Sequence, residues 1–188
     1  MSSKEYYNYL SERSFYGLIY RNFWLYPKLN KYLTGKALDI GCGIGDFLKY
    51  RKNTTGVDVN NHLVKYCKKN NLNAIHMEPD MLPFKDETFE SAIMDNVLEH
   101  IIDPKPILSE ARRVLQSKGR LIIGVPGSLG YKFDDDHKVF YSRNNLIETL
   151  NKNNFKLIKI FGMPFDLSWM DLKVKQYCVY GVFEKIGK

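Results

Sequence analysis

The sequence predicts an α/β fold, a largely parallel sheet with helices on both faces, and three observations predict it. Apolar runs of strand length alternate with helically periodic segments along most of the 188 residues, the pattern that builds parallel sheets. The apolar run Ala37-Leu38-Asp39-Ile40 opens into Gly41-Cys42-Gly43-Ile44-Gly45-Asp46, a strand followed by a glycine-rich turn. The next apolar run, Thr55-Gly56-Val57-Asp58-Val59, closes on an aspartate before its last residue. Sheets of this kind bind ligands beyond the carboxyl ends of their strands, so the residues at those ends are the first candidates for a site.

The elements follow in chain order. Residues 1–34 are dense in aromatic side chains, from Tyr6 and Tyr7 through Phe23, Trp24 and Tyr32. They read as a helical lid over a ligand, as a helix packed on the sheet edge, or as both; a lid excludes water from a reactive ligand. Strands are expected at 36–40, 54–59, 73–77, 91–95, 119–125, 155–161 and 176–185. Asn60 caps a helix running to about Asn70, and Asp103-Pro104 reads as N-cap and first residue of a helix reaching Gln116, because proline tolerates the first helical position. Ser142 caps a last helix bearing Leu146, Ile147 and Leu150. Asp39, Asp58, Met77 and Asp95 stand at strand ends and are expected to converge. No repeat, low-complexity tract or linker interrupts the chain, so residues 1–188 read as a single domain, with the α/β core at 36–188.

The turn selects its ligand by spacing and charge. A dinucleotide fingerprint needs G-x-G-x-x-G, with the pyrophosphate on the helix N-terminus. Here the third glycine comes one residue early and Asp46 holds the place of the last. A carboxylate repels a pyrophosphate but suits a sulfonium or ammonium. Both features favour S-adenosylmethionine (SAM) over a nicotinamide dinucleotide. Asp58 suits the ribose, since a carboxylate accepts from both hydroxyls.

Leu38-Asp39-Ile40-Gly41-Cys42-Gly43-Ile44-Gly45 resembles the first motif of the class I SAM-dependent methyltransferases. Val57-Asp58 is similar to their second motif, and Glu78-Pro79-Asp80-Met81-Leu82-Pro83-Phe84 to their acidic segment near the adenine. Asp95-Asn96-Val97-Leu98-Glu99-His100 and the strand Gly119-Arg120-Leu121-Ile122-Ile123 continue the series. Within the family the pattern is closest to the small-molecule type, methyltransferase 11 or UbiG-like. The resemblance covers roughly 36–162 and implies a Rossmann-like class I methyltransferase sheet of seven strands, the last one antiparallel. It further implies that Asp39 organises the turn or accepts from the cofactor's amino group. Gly41, Cys42, Gly43 and Gly45 let the backbone approach the methionine moiety, and Val59 flanks the adenine beside Asp58. Asp80 and the Met81 backbone take the adenine edge, with Glu78 competing for that role, and Asp95 and Asn96 lie beneath the methionine portion. The product of transfer is S-adenosylhomocysteine.

Composition bounds the remaining choices. The apolar fraction is 44%, too high for a disordered chain. No apolar run approaches the roughly 20 residues that span a bilayer, and the N-terminus shows no apolar signal core. The three cysteines, at 42, 67 and 178, form no C-x-x-C pair, which suits a reducing cytoplasm and gives no zinc or disulfide framework. The net charge is +7, with the excess in residues 1–36 and 151–188, outside the cofactor motifs. A basic surface attracts an anionic small-molecule acceptor, RNA or an acidic membrane, or simply keeps the protein soluble. None of these signals specifies an oligomeric state.

For the reaction itself, an oxygen acceptor benefits from a general base. The candidate is His137, in Phe133-Asp134-Asp135-Asp136-His137-Lys138 after the fifth strand. Asp134, Asp135 or Asp136 orients its ring or contacts the acceptor, or the acids only cap a turn beside a solvated histidine. The resemblance places the Glu99-His100 pair near the active site, and the two are expected rather to fix the start of the following segment by hydrogen bonding; a metal site built from Glu99, His100 and the acids at 134–136 is open in principle, but no spacing demands it. The reading is a methyltransferase acting on a small molecule, on an oxygen of a sugar, glycan precursor or related metabolite. Its rivals are an RNA or protein methyltransferase and a SAM-binding module without turnover. Against nucleic acid, Asp95-Asn96-Val97-Leu98 matches poorly the Asn-Pro-Pro-Tyr type motif that handles flipped bases.

Overall fold

The structure, a computed structural model, describes residues 15–167 and 169–187. Tyr6, Tyr7 and Tyr9 of the expected lid lie outside the described residues. The seven strands are β1 (Ala37–Ile40), β2 (Thr54–Asp58), β3 (Ala74–His76), β4 (Phe89–Asp95), β5 (Leu115–Pro126), β6 (Phe155–Met163) and β7 (Cys178–Lys185), in the spatial order β3-β2-β1-β4-β5-β7-β6. All neighbours are parallel except β7, antiparallel to both β5 and β6. The strand order reverses between β1 and β4, and the crevice at such a switch point is where open α/β sheets bind ligands.

Side-chain alternation divides the core between the two faces. Leu38, Ala92, Met94, Leu121 and Ile123 pack on one face with Ile107, Leu108 and Ala111 of α5 (Lys105–Val114) and Leu146 and Leu150 of α7 (Arg143–Lys152). Ile93, Ile122, Phe161, Tyr180 and Val182 pack on the other with Leu25, Tyr26 and Leu29. The latter come from α1 (Phe15–Tyr20), a π-helical turn (Arg21–Leu25) and α2 (Tyr26–Asn30), which follow one another directly. The aromatic N-terminal segment is therefore packed across a sheet face. Because Asp39 alternates with Leu38 and Ile40, and Asp95 with Met94, both acids point to the face that these helices cover. The remaining helices are α3 (Asp46–Tyr50), α4 (Asn61–Lys69), α6 (Ser128–Tyr131) and α8 (Met170–Lys173).

Local chemistry sets most boundaries. Asn60 caps α4 by accepting from the His62 amide, and Ser142 caps α7 by accepting from the Asn145 amide. Asp103 accepts from the Lys105 amide at 3.1 Å, so α5 starts one residue beyond the expected proline. The C-terminus of α5 differs more. The helix stops at Val114, short of Gln116, and β5 begins at Leu115 rather than 119. Leu115 pairs with Phe89, and the chain then bends through Lys118 at φ +60°. Leu115 is buried in either conformation, so its helical spacing did not reveal the switch.

Candidate functional site

The glycine-rich turn runs from β1 into α3, with Gly41, Gly43 and Gly45 at φ +77°, +55° and +76°. A Cβ at Gly41 would also collide with the Val97 side chain. Asp58 holds this turn directly: its Oδ2 accepts from the Gly43 amide at 2.9 Å and its Oδ1 from the Asn60 amide at 2.8 Å. Each oxygen keeps a further lone pair for a ligand hydroxyl. Burial pushes the Asp58 carboxyl up, against these two amides, which lower it. Asp39 is 5% exposed. Burial drives its carboxyl well above the usual range, reinforced by Asp95 and Asp58.

Asp95, at the end of β4, is held from three directions. Its Oδ1 accepts from Tyr180 Oη at 2.8 Å and from Asn96 Nδ2 at 3.0 Å, and its Oδ2 lies 3.7 Å from Arg21 Nη1. Gly124 makes room for this. It lies between Asp95 and Tyr180 in register, and a Cβ there would meet the Tyr180 ring and stand 2.7 Å from Asp95 Oδ1.

Asp39, Asp95 and the first part of the glycine-rich turn face a cavity of about 540 Å3. Of the residues expected to bind cofactor, Asp39, Gly41, Cys42, Gly43, Asp95 and Asn96 line it, as do His137 and Asp46. Gly45 and Asp58 are absent from the lining; Asp58 supports the lining through Gly43. Val59, Asp80 and Met81 are exposed, on the segments that follow β2 and β3. Glu78 and Met81 close a tight turn with Asp80 at φ +58°. Met77 does not converge with the acids: it is 5% exposed and packs in the core, as an unbranched apolar side chain with no polar partner should. The sequence reading missed Arg21, Tyr180, Lys175 and Gln176, which also line the cavity. They come from the N-terminal helices, β7 and the segment before it, and no motif marks them.

His100 and His137 line the same cavity. His137 Nδ1 lies 2.8 Å from the Tyr131 carbonyl oxygen. A carbonyl only accepts, so Nδ1 carries a proton, and in the neutral form of the ring the lone pair is on Nε2. The ring also stacks on Tyr131, centroid to centroid 5.3 Å at 15°. The expected aspartate orienter is thus replaced by a backbone carbonyl. Asp134 instead accepts from the Asp136 amide at 2.9 Å, a local turn bond, and its Oδ2 stays 4.0 Å from His137 Nε2.

Glu99 and His100 act differently from expectation as well. They fix the distant 136–139 segment: the Glu99 carbonyl accepts from the Lys138 and Val139 amides at 2.7 and 3.0 Å, and His100 Nδ1 lies 3.2 Å from the Asp136 carbonyl. The Glu99 carboxylate is fully buried, and neither oxygen has a hydrogen-bond partner. Burial pushes its carboxyl up to about 8.

With this geometry the comparisons with known proteins agree. Residues 38–123 match the family described as "Methyltransferase domain". An uncharacterized protein of Methanocaldococcus jannaschii is 34% identical over 136 residues, 66% of this chain and 66% of that one. The crystal structure of a SAM-dependent methyltransferase of Thermotoga maritima, possible histamine N-methyltransferase, superposes with a TM-score of 0.74 at 22% identity, covering 96% of this chain and 98% of that one.

Residues 38–123 form a class I SAM-dependent methyltransferase domain.

Named relatives of this methyltransferase differ in acceptor. A demethylmenaquinone methyltransferase of Thermotoga maritima is 30% identical over 96 residues, 47% of this chain and 42% of that one. A human probable tRNA methyltransferase 9B is 34% identical over 92 residues, 46% of this chain and 20% of that one. The methyltransferase thus spans just under two thirds of the first of these curated relatives and less than half of the other two. Its cofactor is SAM, and the cavity is lined by Asp39, Asp46 and Asp95 and by Arg21, side chains of the charges that a sulfonium, an α-ammonium and a carboxylate pair with. No helix among the described residues is long and apolar enough to cross a membrane.

Proposed function

We propose that this methyltransferase transfers the methyl group of SAM to an oxygen of a small-molecule acceptor, a sugar, glycan precursor or related metabolite. The supporting observation is that one cavity of about 540 Å3 is lined both by the acids and glycines of the turn and by His137. That volume falls within the roughly 300–1,000 Å3 of small-molecule sites. Asp39, Asp95 and the Gly41–Gly43 backbone take the methionine portion, and Asp58 takes the ribose. Val59, Asp80 and Met81 receive the adenine at the exposed ends of β2 and β3.

The reaction is an in-line displacement, in which the acceptor oxygen bonds to the methyl carbon as the carbon–sulfur bond breaks. The protein's part is to align the two partners and manage one proton. His137 Nε2 is the lone pair placed for that proton, since Nδ1 is committed to Tyr131.

The test is transfer from isotopically labelled SAM into a cell extract divided into small-molecule, RNA and protein fractions, with Asp58→Ala as control. Label in the small-molecule fraction, lost in the variant, is the expected result. The net charge of +7 and the similarity to a tRNA methyltransferase favour RNA as the second reading, and label in that fraction would establish it. SAM binding with no label in any fraction would point to a binding module.

A further inference from the structure

We infer that Glu99, His100 and His137 form a binding site for a first-row divalent metal ion that holds the acceptor oxygen. One carboxylate oxygen of Glu99 and one nitrogen from each histidine lie within 4.8 Å of one another, although 37 residues separate His100 from His137 in the sequence. Each ring directs Nδ1 to a backbone carbonyl, of Asp136 for His100 and of Tyr131 for His137. Both neutral rings therefore take the same tautomer, which leaves the Nε2 lone pair for a ligand bond. This is the outer arrangement that fixes metal-ligating imidazoles.

The third group is the strongest indication. The Glu99 carboxylate is fully buried with both oxygens unpartnered, and His137 Nε2 lies 3.9 Å from Oε1. A buried carboxyl avoids the cost of its charge by holding a proton or by coordinating a cation, and two imidazole nitrogens beside it supply the rest of a cation's ligand set. The backbone holds this cluster together, because the Glu99 carbonyl accepts from Lys138 and Val139 and draws the 137–139 segment onto the 98–100 turn. Asp134 Oδ2, 4.0 Å from His137 Nε2, stands ready as a further ligand.

Two imidazoles and a carboxylate without thiolate suit zinc, iron(II), cobalt or nickel rather than magnesium or calcium. His100, His137 and Asp134 line the same cavity as the glycine-rich turn, so open coordination positions face the acceptor. The ligand class is an acceptor with a hydroxyl or an adjacent pair of oxygens. Bound there, the hydroxyl releases its proton to solvent. Its oxygen pair then forms the bond to the methyl carbon, and the carbon–sulfur pair leaves on S-adenosylhomocysteine. This catalytic role rests on the methyl-transfer reading above and replaces one part of it: with the ion bound, His137 Nε2 is a ligand and no longer the proton acceptor. The binding site itself does not rest on that reading.

The experiment is titration of the full, tag-free, chelator-stripped chain with Co2+, followed by visible absorption, and with Zn2+, followed by calorimetry. Mg2+ serves as the hard-cation control. One equivalent of Co2+ or Zn2+ is expected. Glu99→Gln and His100→Gln should each weaken it by about 100-fold or more, at or beyond the 10–100-fold typical of losing an outer-shell partner. His100→Gln changes a half-buried residue, so it decides the matter even if Glu99→Gln does not fold. No saturable binding, or binding unchanged in His100→Gln, overturns the site. SAM affinity, measured on the same samples, separates the two ideas. A chain that binds the ion but not SAM overturns methyl transfer and leaves the site standing; one that binds SAM but not the ion does the reverse.

Discussion

At the scale of single residues, the carboxylates at the strand ends have divided duties. Asp58 shapes the turn as well as serving a ligand, so Asp58→Ala should remove both. Hydrogen bonds to charged groups contribute about 1.5–3 kcal/mol, which predicts SAM binding weakened by roughly 10–100-fold, read by calorimetric titration. Asp39 shows a conflict between stability and function. Its folded-state pKa is raised, so the folded chain binds the proton more tightly than the unfolded one. Stability attributable to this group therefore falls as pH rises from the ordinary carboxylate range near 4 through the raised folded value. Asp39→Asn should raise the urea midpoint at pH 7 and flatten its pH dependence while SAM affinity falls. In the natural protein, cation binding should expel a proton, seen as a dependence of binding heat on buffer ionisation enthalpy. Asp39, Asp95 and the turn glycines were legible in the sequence because they lie within local motifs. Tyr180 was not, since its bond to Asp95 joins residues 85 apart and depends on Gly124 lacking a side chain.

At the scale of elements, the 81–86 segment is held by α5 as well as by its own turns. The Arg113 guanidinium donates to the Leu82 carbonyl at 3.0 Å, the Phe84 carbonyl at 2.7 Å and Asp86 Oδ1 at 2.8 Å, and pairs with Glu110 at 2.6 and 2.7 Å. Glu110 in turn accepts from the Leu82 amide at 2.9 Å. Arg113→Met should cost about 2 kcal/mol in denaturant unfolding and free the segment proposed to meet the adenine. The Arg113 hydrogen bond depresses the Glu110 carboxyl. The stability it contributes is present above its unfolded value near 4.3 and is lost as pH falls through the depressed folded value. Acid titration of the Arg113→Met protein should show a shallower loss. The caps at Asn60 and Ser142 were readable because capping is a matter between neighbours. The start of β5 was not, because pairing between Leu115 and Phe89 overrode local periodicity. The adenine segment was recognisable as a motif, whereas the arginine that secures it looked like any exposed helical cation.

At the scale of the whole molecule, the N-terminal helices and the acids share one face of the sheet, which explains how a guanidinium from residue 21 reaches the end of β4. Arg21→Met should raise the apparent Kd for SAM about tenfold, equivalent to about 1.4 kcal/mol, with little change in melting temperature if its main partner is the ligand. The seven-strand sheet and its antiparallel last strand followed from the motif series, so the architecture was legible. The covering of that particular face was not, because an aromatic segment without a motif carries no address. Nor was the meeting of Glu99 with His137, which depends on a turn after β4 gripping a loop after β5.

The same covering segment reaches across to the far edge of the sheet. Trp24 Nε1 donates to the Pro164 carbonyl at 2.9 Å, and its ring meets Phe165 edge-on at 5.8 Å. Trp24 is one of two tryptophans in the chain, and its indole is half in water. The protein thus carries its own optical gauge. With Trp169→Phe as a quiet background, any parting of the N-terminal helices from the 164–167 loop should appear as a shift in emission, without a label attached.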